Sequence, residues 1–269
     1  MTGLSVAAQG YHCAADTVKA MELVRKFYEP GGDPAKKCAG IAEALVGVEY
    51  VPLSKQDTAG VAPVRVDGLD EMGFVNMVIA IAKTAVSPGH TRLKDLEDML
   101  VKVTFRRGEP DGFPTRMFYP SDWTVDNKAR GNVKELTEDY SDLFKTKSLE
   151  SVTRNRDQYP ALKDSLTFDR QKMVEMGYRT HKIPHMKRES SDWKNVHADL
   201  RDGDLLMLLS SNPDSDVFEL GFIISRQDGF HFIHASEKEG KVVEEAEPLG
   251  RYIKRNSKQT YGWRWLRVM

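Results

Sequence analysis

Between Glu71 and Thr84 the chain carries Phe74, Val75, Val78, Ile79 and Ile81, which leave a helix apolar on most of its sides. A helix of that kind is buried inside a molecule rather than laid on its surface. It therefore sets the first constraint: the fold has to be built around it. Other helices are expected close by. Residues 14–28 place Val18, Met21, Leu23, Val24 and Phe27 at helical spacing before the break Pro30-Gly31-Gly32. Asp33-Pro34 reads as an N-cap with proline in the first turn, opening a helix that runs to a stop at Gly47. Another helix follows Thr91, with Leu93, Leu96, Met99 and Leu100 on one face, and a further one is expected near 164–177.

The second half changes period. Leu205–Leu209 is a continuous apolar run after the turn Asp202-Gly203-Asp204. Segments 217–224 and 230–235 flank Gln227-Asp228-Gly229, where Asp-Gly signals a tight turn. Strands are also expected over 241–244 and 261–268. Helices first and strands last predict an α+β fold, with helices packed on an antiparallel sheet. The stretch 107–160 is rich in Gly, Pro, Asp and Asn with interspersed aromatics, and reads as long ordered loops that line a cleft.

The 269 residues suit one domain, 1–269, with a helical N-terminal portion over 1–46 and the core over 47–269. Lys and Arg total 39 against 40 for Asp and Glu, a formal charge of −1, which argues against a nucleic-acid or anionic-membrane binder. Clusters such as Arg106-Arg107 and Lys187-Arg188 read as solvated faces. Two cysteines, Cys13 and Cys38, are too few for a disulfide framework and read as reduced, inert thiols, Cys38 as buried filler. The N-terminus lacks a basic stretch followed by an apolar run, and no apolar segment approaches the about 18 residues that span a bilayer. A soluble, cytoplasmic protein is the expectation.

Several short motifs in order carry a resemblance. They are Gly47-Val48-Glu49-Tyr50; Asp70-Glu71-Met72-Gly73-Phe74-Val75; Arg116-Met117-Phe118-Tyr119-Pro120-Ser121-Asp122-Trp123; Asp202-Gly203-Asp204; Asp216-Val217-Phe218-Glu219-Leu220-Gly221; and His234-Ala235-Ser236. From about residue 40 onward the chain resembles the bacterial N-acetylmuramoyl-L-alanine amidase-like family, which implies the papain-like fold of the NlpC-type cell-wall peptidases. In that family the helix-opening motif reads Asp-Cys-Thr-Thr-Phe-Val and its Cys is the nucleophile, because a helix N-terminus stabilises a thiolate. Here the position is Glu71. The general base is the His of an Asp-x-x-His-Val-Gly strand, matched by Glu219, and the residue orienting the base is matched by His234. Cys-His-His becomes Glu-Glu-His.

The resemblance thus implies an active site of Glu71, Glu219 and His234 that is not a cysteine amidase. Three chemistries fit it. The trio is a reasonable ligand set for one divalent Fe, Mn or Zn ion. Two close carboxylates can split into an acid and a base. Glu71 can also act as a covalent nucleophile. Tyr50, Arg116, Ser121, Asp122 and Trp123 match the family's substrate cleft, Tyr50 as a hydroxyl donor and Arg116 as partner for a carboxylate. An arginine–aspartate pair bracing the loop stands as the alternative for Arg116 and Asp122. The expected function is an enzyme acting on a small amide- or amino-acid-derived substrate or a cell-wall peptide. The alternative is an inactive relative that binds a peptide or muropeptide. Other histidines lack ligand spacing: Pro184 separates His181 from His185, His231 points away from His234, and His12, His90 and His197 stand alone.

Overall fold

The computed structural model describes residues 14–52, 62–187 and 193–269. His12, Cys13 and Arg188 lie outside the described residues. Four long helices come early: α1 (Ala14–Lys26), α2 (Pro34–Ala44), α3 (Glu71–Val86) and α4 (Leu93–Thr104), with the short strands β1 (Glu49–Tyr50) and β2 (Gly68–Leu69) between α2 and α3. The middle of the chain holds α5 (Pro120–Ala129), β3 (Val133–Glu135), β4 (Phe144–Thr146), α6 (Ser151–Arg154), α7 (Ser165–Gly177), β5 (Lys182–Pro184), β6 (Met186–Lys187) and α8 (Trp193–Asp199). The last third holds β7 (Leu205–Ser210), β8 (Val217–Arg226), β9 (Gly229–Ser236), β10 (Lys241–Glu244), α9 (Leu249–Arg255) and β11 (Thr260–Val268).

Local chemistry sets several of these boundaries. The Asp33 side chain accepts from the Ala35 N–H at 3.0 Å, so the expected N-cap with proline in the first turn is present. That helix ends at Ala44, a turn before Gly47. Asp70 caps α3 by accepting from the Gly73 N–H at 2.6 Å. A Cβ at residue 73 would sit 2.7 Å from the same aspartate oxygen, so a glycine serves that cap. Gly203, with φ +83°, lets the Asp202-Gly203-Asp204 turn press against α2; a Cβ there would lie 1.7 Å from the Ala35 carbonyl. Beside it, buried Asp204 accepts from Arg267 Nε at 2.7 Å and Trp265 Nε1 at 2.8 Å, tying the turn to β11.

Among the described residues the main sheet runs β2-β1-β10-β9-β8-β7-β11-β3, with β6 also paired to β11. Its pairs are antiparallel except β1 with β2, which run parallel, a departure from the purely antiparallel expectation. Both faces are covered. Met207, Leu220, Phe222, Ile224, Ile233 and Ala235 join α1–α4 in one core. Leu206, Leu208, Ile223, Phe232, Trp263 and Trp265 form a second core beneath α9. A strand buried on both sides has no polar face to alternate with, which is why Leu205–Leu209 reads as an unbroken apolar run. A third, smaller cluster of Phe113, Tyr119, Leu149, Val152 and Leu162 packs the middle segment on itself. No helix among the described residues is long and apolar enough to cross a membrane.

Candidate functional site

The parallel pairing of β1 with β2 places Tyr50 opposite Leu69, two residues before the start of α3. From there the Tyr50 hydroxyl donates to Glu71 Oε2 at 2.9 Å. Glu71 is the first residue of the helix and lines a cleft of about 310 Å3, together with Tyr50, Asp70, Arg116, Phe118, Tyr159 and others. That volume is at the lower end for small-molecule sites. Burial is the main reason the Glu71 carboxyl is raised from 4.5 to about 7. The neighbouring Asp70 charge pushes it further up, its own N–H and the Tyr50 hydroxyl pull it down, and Glu219 adds a lesser push. Burial and the Glu71 charge together hold the Tyr50 phenol far above its usual range. Arg116 lines the same cleft; burial lowers its pKa and the Asp70 charge offsets part of that.

Glu219 and His234 also meet, but in a separate group. Glu219 Oε2 lies 2.6 Å from His234 Nδ1, and His234 Nε2 lies 3.1 Å from Glu245 Oε1. Arg255 from α9 donates to Glu245 Oε2 at 2.9 Å. The imidazole stacks on Phe232 at 4.9 Å and approaches Tyr252 of α9 at 5.7 Å, both in the second core. Burial alone would lower the His234 pKa; the bonds to Glu219 and Glu245 override it and raise it to about 9. The buried ring is thus an imidazolium clamped between two carboxylates.

Alternation along β8 explains the separation. Leu220, Phe222 and Ile224 face α3, so Glu219 and Ile223 point to the other face. A bulge, with Leu208 opposite Glu219 and Leu209 opposite Val217, leaves Phe218 as the extra residue. Glu219 lines a second cavity, of about 280 Å3, with Ser236, Glu245, Tyr252 and Arg255, whereas Glu71 does not. Phe218 borders both cavities. Glu71 thus stands apart from Glu219 and His234, and among the described residues no three His, Cys, Asp or Glu side chains cluster to hold an ion. Both nitrogens of His234 are already committed to carboxylates, a donor set that does not fit a metal.

The residues matched to a substrate loop divide in the same way. Arg116 is at the cleft, but Ser121, Asp122 and Trp123 are buried at the start of α5, outside its lining. The Ser121 N–H donates to Asp216 Oδ2 at 2.8 Å, and Trp123 Nε1 donates to Asn76 Oδ1 at 2.8 Å. Asp122 takes both Arg106 nitrogens, at 2.6 and 2.5 Å, and the Tyr178 hydroxyl. The brace is present, but its arginine is Arg106 rather than Arg116, which also corrects Arg106 as part of a solvated face. Cys38 is buried in α2, where burial pushes its thiol up and out of reach of thiolate chemistry. Glu245 and Arg255 had no motif or periodicity to mark them.

The geometry defines an α+β protein with a ligand-sized cleft at the N-terminus of its buried helix. The chain belongs to the N-acetylmuramoyl-L-alanine amidase-like (AmiA-like) family, whose sequence model matches residues 41–260. Among solved structures it is similar to an N-acetylmuramoyl-L-alanine amidase from Bacteroides uniformis, at 22% identity with a TM-score of 0.77, covering 88% of this chain and 100% of that one. It is also similar to a candidate xylanase from Bacteroides fragilis (25% identity, TM-score 0.74, 85% and 100% covered). Protein LPG0564 from Legionella pneumophila aligns at 19% identity with a TM-score of 0.70, over 95% of each chain. No curated protein matches the chain.

Proposed function

We propose that this chain is a non-thiol amidase acting on a peptidoglycan-derived amide or peptide, with Glu71 as the proton-transferring group of a papain-like, NlpC-type domain. In this reading Glu71 stands where cysteine amidases of the family carry their nucleophile. The observation that carries the proposal is a half-buried carboxyl at the cleft wall, raised to about 7 and held by the Tyr50 hydroxyl. Such a group is divided between its acid and base forms near neutrality, the condition under which one residue both takes and returns a proton efficiently. As carboxylate it accepts a proton from water while the water oxygen bonds to the amide carbon. As carboxylic acid it passes that proton to the departing nitrogen as the C–N bond breaks, giving an acid and an amine. Arg116 supplies positive charge for a substrate carboxylate or the developing oxyanion. Glu219 and His234 support the cleft from behind, through the strand that carries Phe218.

The test uses N-acetylmuramoyl-L-alanine as probe, with calorimetric binding and alanine release measured for wild type and Glu71→Gln. The proposal expects release to fall on the order of 10²–10⁴-fold in the variant while binding is retained. Iodoacetamide should leave wild-type turnover unchanged. Wild-type protein that binds the probe without releasing alanine would assign the cleft to recognition alone. That second reading draws on the locked state of His234, whose two ring nitrogens both face carboxylates away from the cleft.

A further inference from the structure

Lys147 follows β4 and is only 7% exposed, an unusual place for an ammonium group. Its Nζ donates to three main-chain carbonyls, those of Ser210 at 2.5 Å, Asn212 at 2.6 Å and Ser215 at 2.5 Å. An ammonium has three N–H donors, so these acceptors use all of them. All three carbonyls belong to the end of β7 and the loop that joins it to β8. Beneath the ammonium, the Tyr261 ring lies 5.5 Å away, and the charge of Asp216 acts on it. The loop reaches the cleft: Ser215 and Asp216 line it, and Asp216 accepts from the Ser121 N–H at the start of α5.

We propose that Lys147 is the positioning residue of this cleft wall, its ammonium filling a cation site built from three carbonyls of the β7–β8 loop and so fixing Ser215 and Asp216 at the rim. The loop is short of main-chain pairing of its own. Ser210 and Ser215 donate inside it, Ser211 donates to Gln259, and the carbonyls converge on a positive charge. A neutral side chain of the same length leaves three carbonyl oxygens facing one another without their shared cation, and the most buried of them, that of Ser210, loses its partner away from water. That the wall so fixed holds substrate rests on the amidase reading; that Lys147 fixes the loop does not.

Hydrogen exchange in Lys147→Met tests the structural half. Exchange at the Ser211 and Ser215 amides should quicken at least tenfold, with the α3 amides unaffected. Lys147→Ala adds a chemical rescue: methylammonium chloride should restore its Tm and slow the loop exchange, tetramethylammonium chloride at equal concentration should not, and wild type should respond to neither. Should the alanine variant fail to fold, refolding yield in the two salts is the readout. Unchanged loop exchange, or equal effects of the two salts, overturns the proposal. Binding of N-acetylmuramoyl-L-alanine supplies the functional half: Lys147→Met should weaken it about tenfold, with partial recovery in Lys147→Arg. If wild type does not bind the probe, the amidase reading falls and exchange with rescue still decides the role of Lys147. If wild type binds and Lys147→Met binds equally well, Lys147 does not position the cleft.

Discussion

Half-buried Glu71 and buried His234 are both ionisable residues whose folded state favours protonation, and each leaves a signature in stability. An ordinary glutamate titrates near 4.5 and Glu71 near 7, so the folded protein binds this proton more tightly than the unfolded chain. The contribution is complete below 4.5 and is lost as pH rises through 7, by roughly 3 kcal/mol in order of magnitude. Glu71→Gln should flatten that part of the profile and leave the protein as stable or more stable at pH 8, measured by denaturant melts across pH. His234 titrates near 9 instead of 6.5, so its contribution is full below 6.5 and lost as pH rises through 9. His234→Gln removes the cation between Glu219 and Glu245 and should cost about 3–5 kcal/mol at pH 6. The cost should shrink by pH 10, where wild type has also lost the charge. A variant as stable as wild type at pH 6 would mean that the clamp carries no net energy.

At the scale of elements, what was legible depended on length and burial. The helix from Glu71 could be read because a helix apolar on most of its sides has few other places to go, and β7 because both its faces are dry. The two-residue strands β1 and β2 offered no period to detect, yet they are what brings Tyr50 to Glu71. The ordered motifs predicted which segments come near one another but carried no information on which way a strand's side chains face. Alternation would have assigned Glu219 to the side away from Leu220 and Phe222, and the bulge at Phe218 sits in the same stretch. Asp122 could not be told from a cleft residue because its partners, Arg106 and Tyr178, lie 16 and 56 positions away. The capping of α3 offers a separable test of cap and charge. Asp70→Ala loses the bond to Gly73 and should cost about 1 kcal/mol. Asp70→Asn keeps an acceptor for that bond but removes the second largest influence raising Glu71. The Glu71 carboxyl, followed by isotope-edited spectroscopy, should then titrate below 7 with little change in Tm. An unmoved titration would show that burial alone sets it.

Across the whole molecule the cleft lies between a large core and a small one. One wall is α3 and the sheet, whose two cores contain Trp123, Trp263, Trp265 and most of the buried aliphatic residues. The other is the middle segment, which has its own small core of Phe113, Tyr119, Leu149, Val152 and Leu162 and lends Phe118, Tyr119, Val152 and Tyr159 to the cleft. A cluster that size holds little free energy by itself, so its attachment to the body decides whether the cleft keeps its shape. Part of the attachment is apolar, through Met117 and Trp123, and part is a polar joint: Asp122, 1% exposed, is gripped by Arg106 after α4 and by Tyr178 at the end of α7. Arg106→Leu takes the cation away and leaves a buried carboxylate with one hydroxyl for company, a loss of about 3–5 kcal/mol for a broken buried pair. The loss should be local first. Exchange of amides and cleavage by protease should rise over α6 and α7 at conditions where β7–β9 and β11 stay protected. Affinity for N-acetylmuramoyl-L-alanine should fall as the aromatic wall drifts, whereas pairing the change with Asp122→Leu, which removes the stranded charge, should recover stability. If protection falls equally in the sheet and the middle segment, the molecule opens as one cooperative unit and the cleft has no weaker wall.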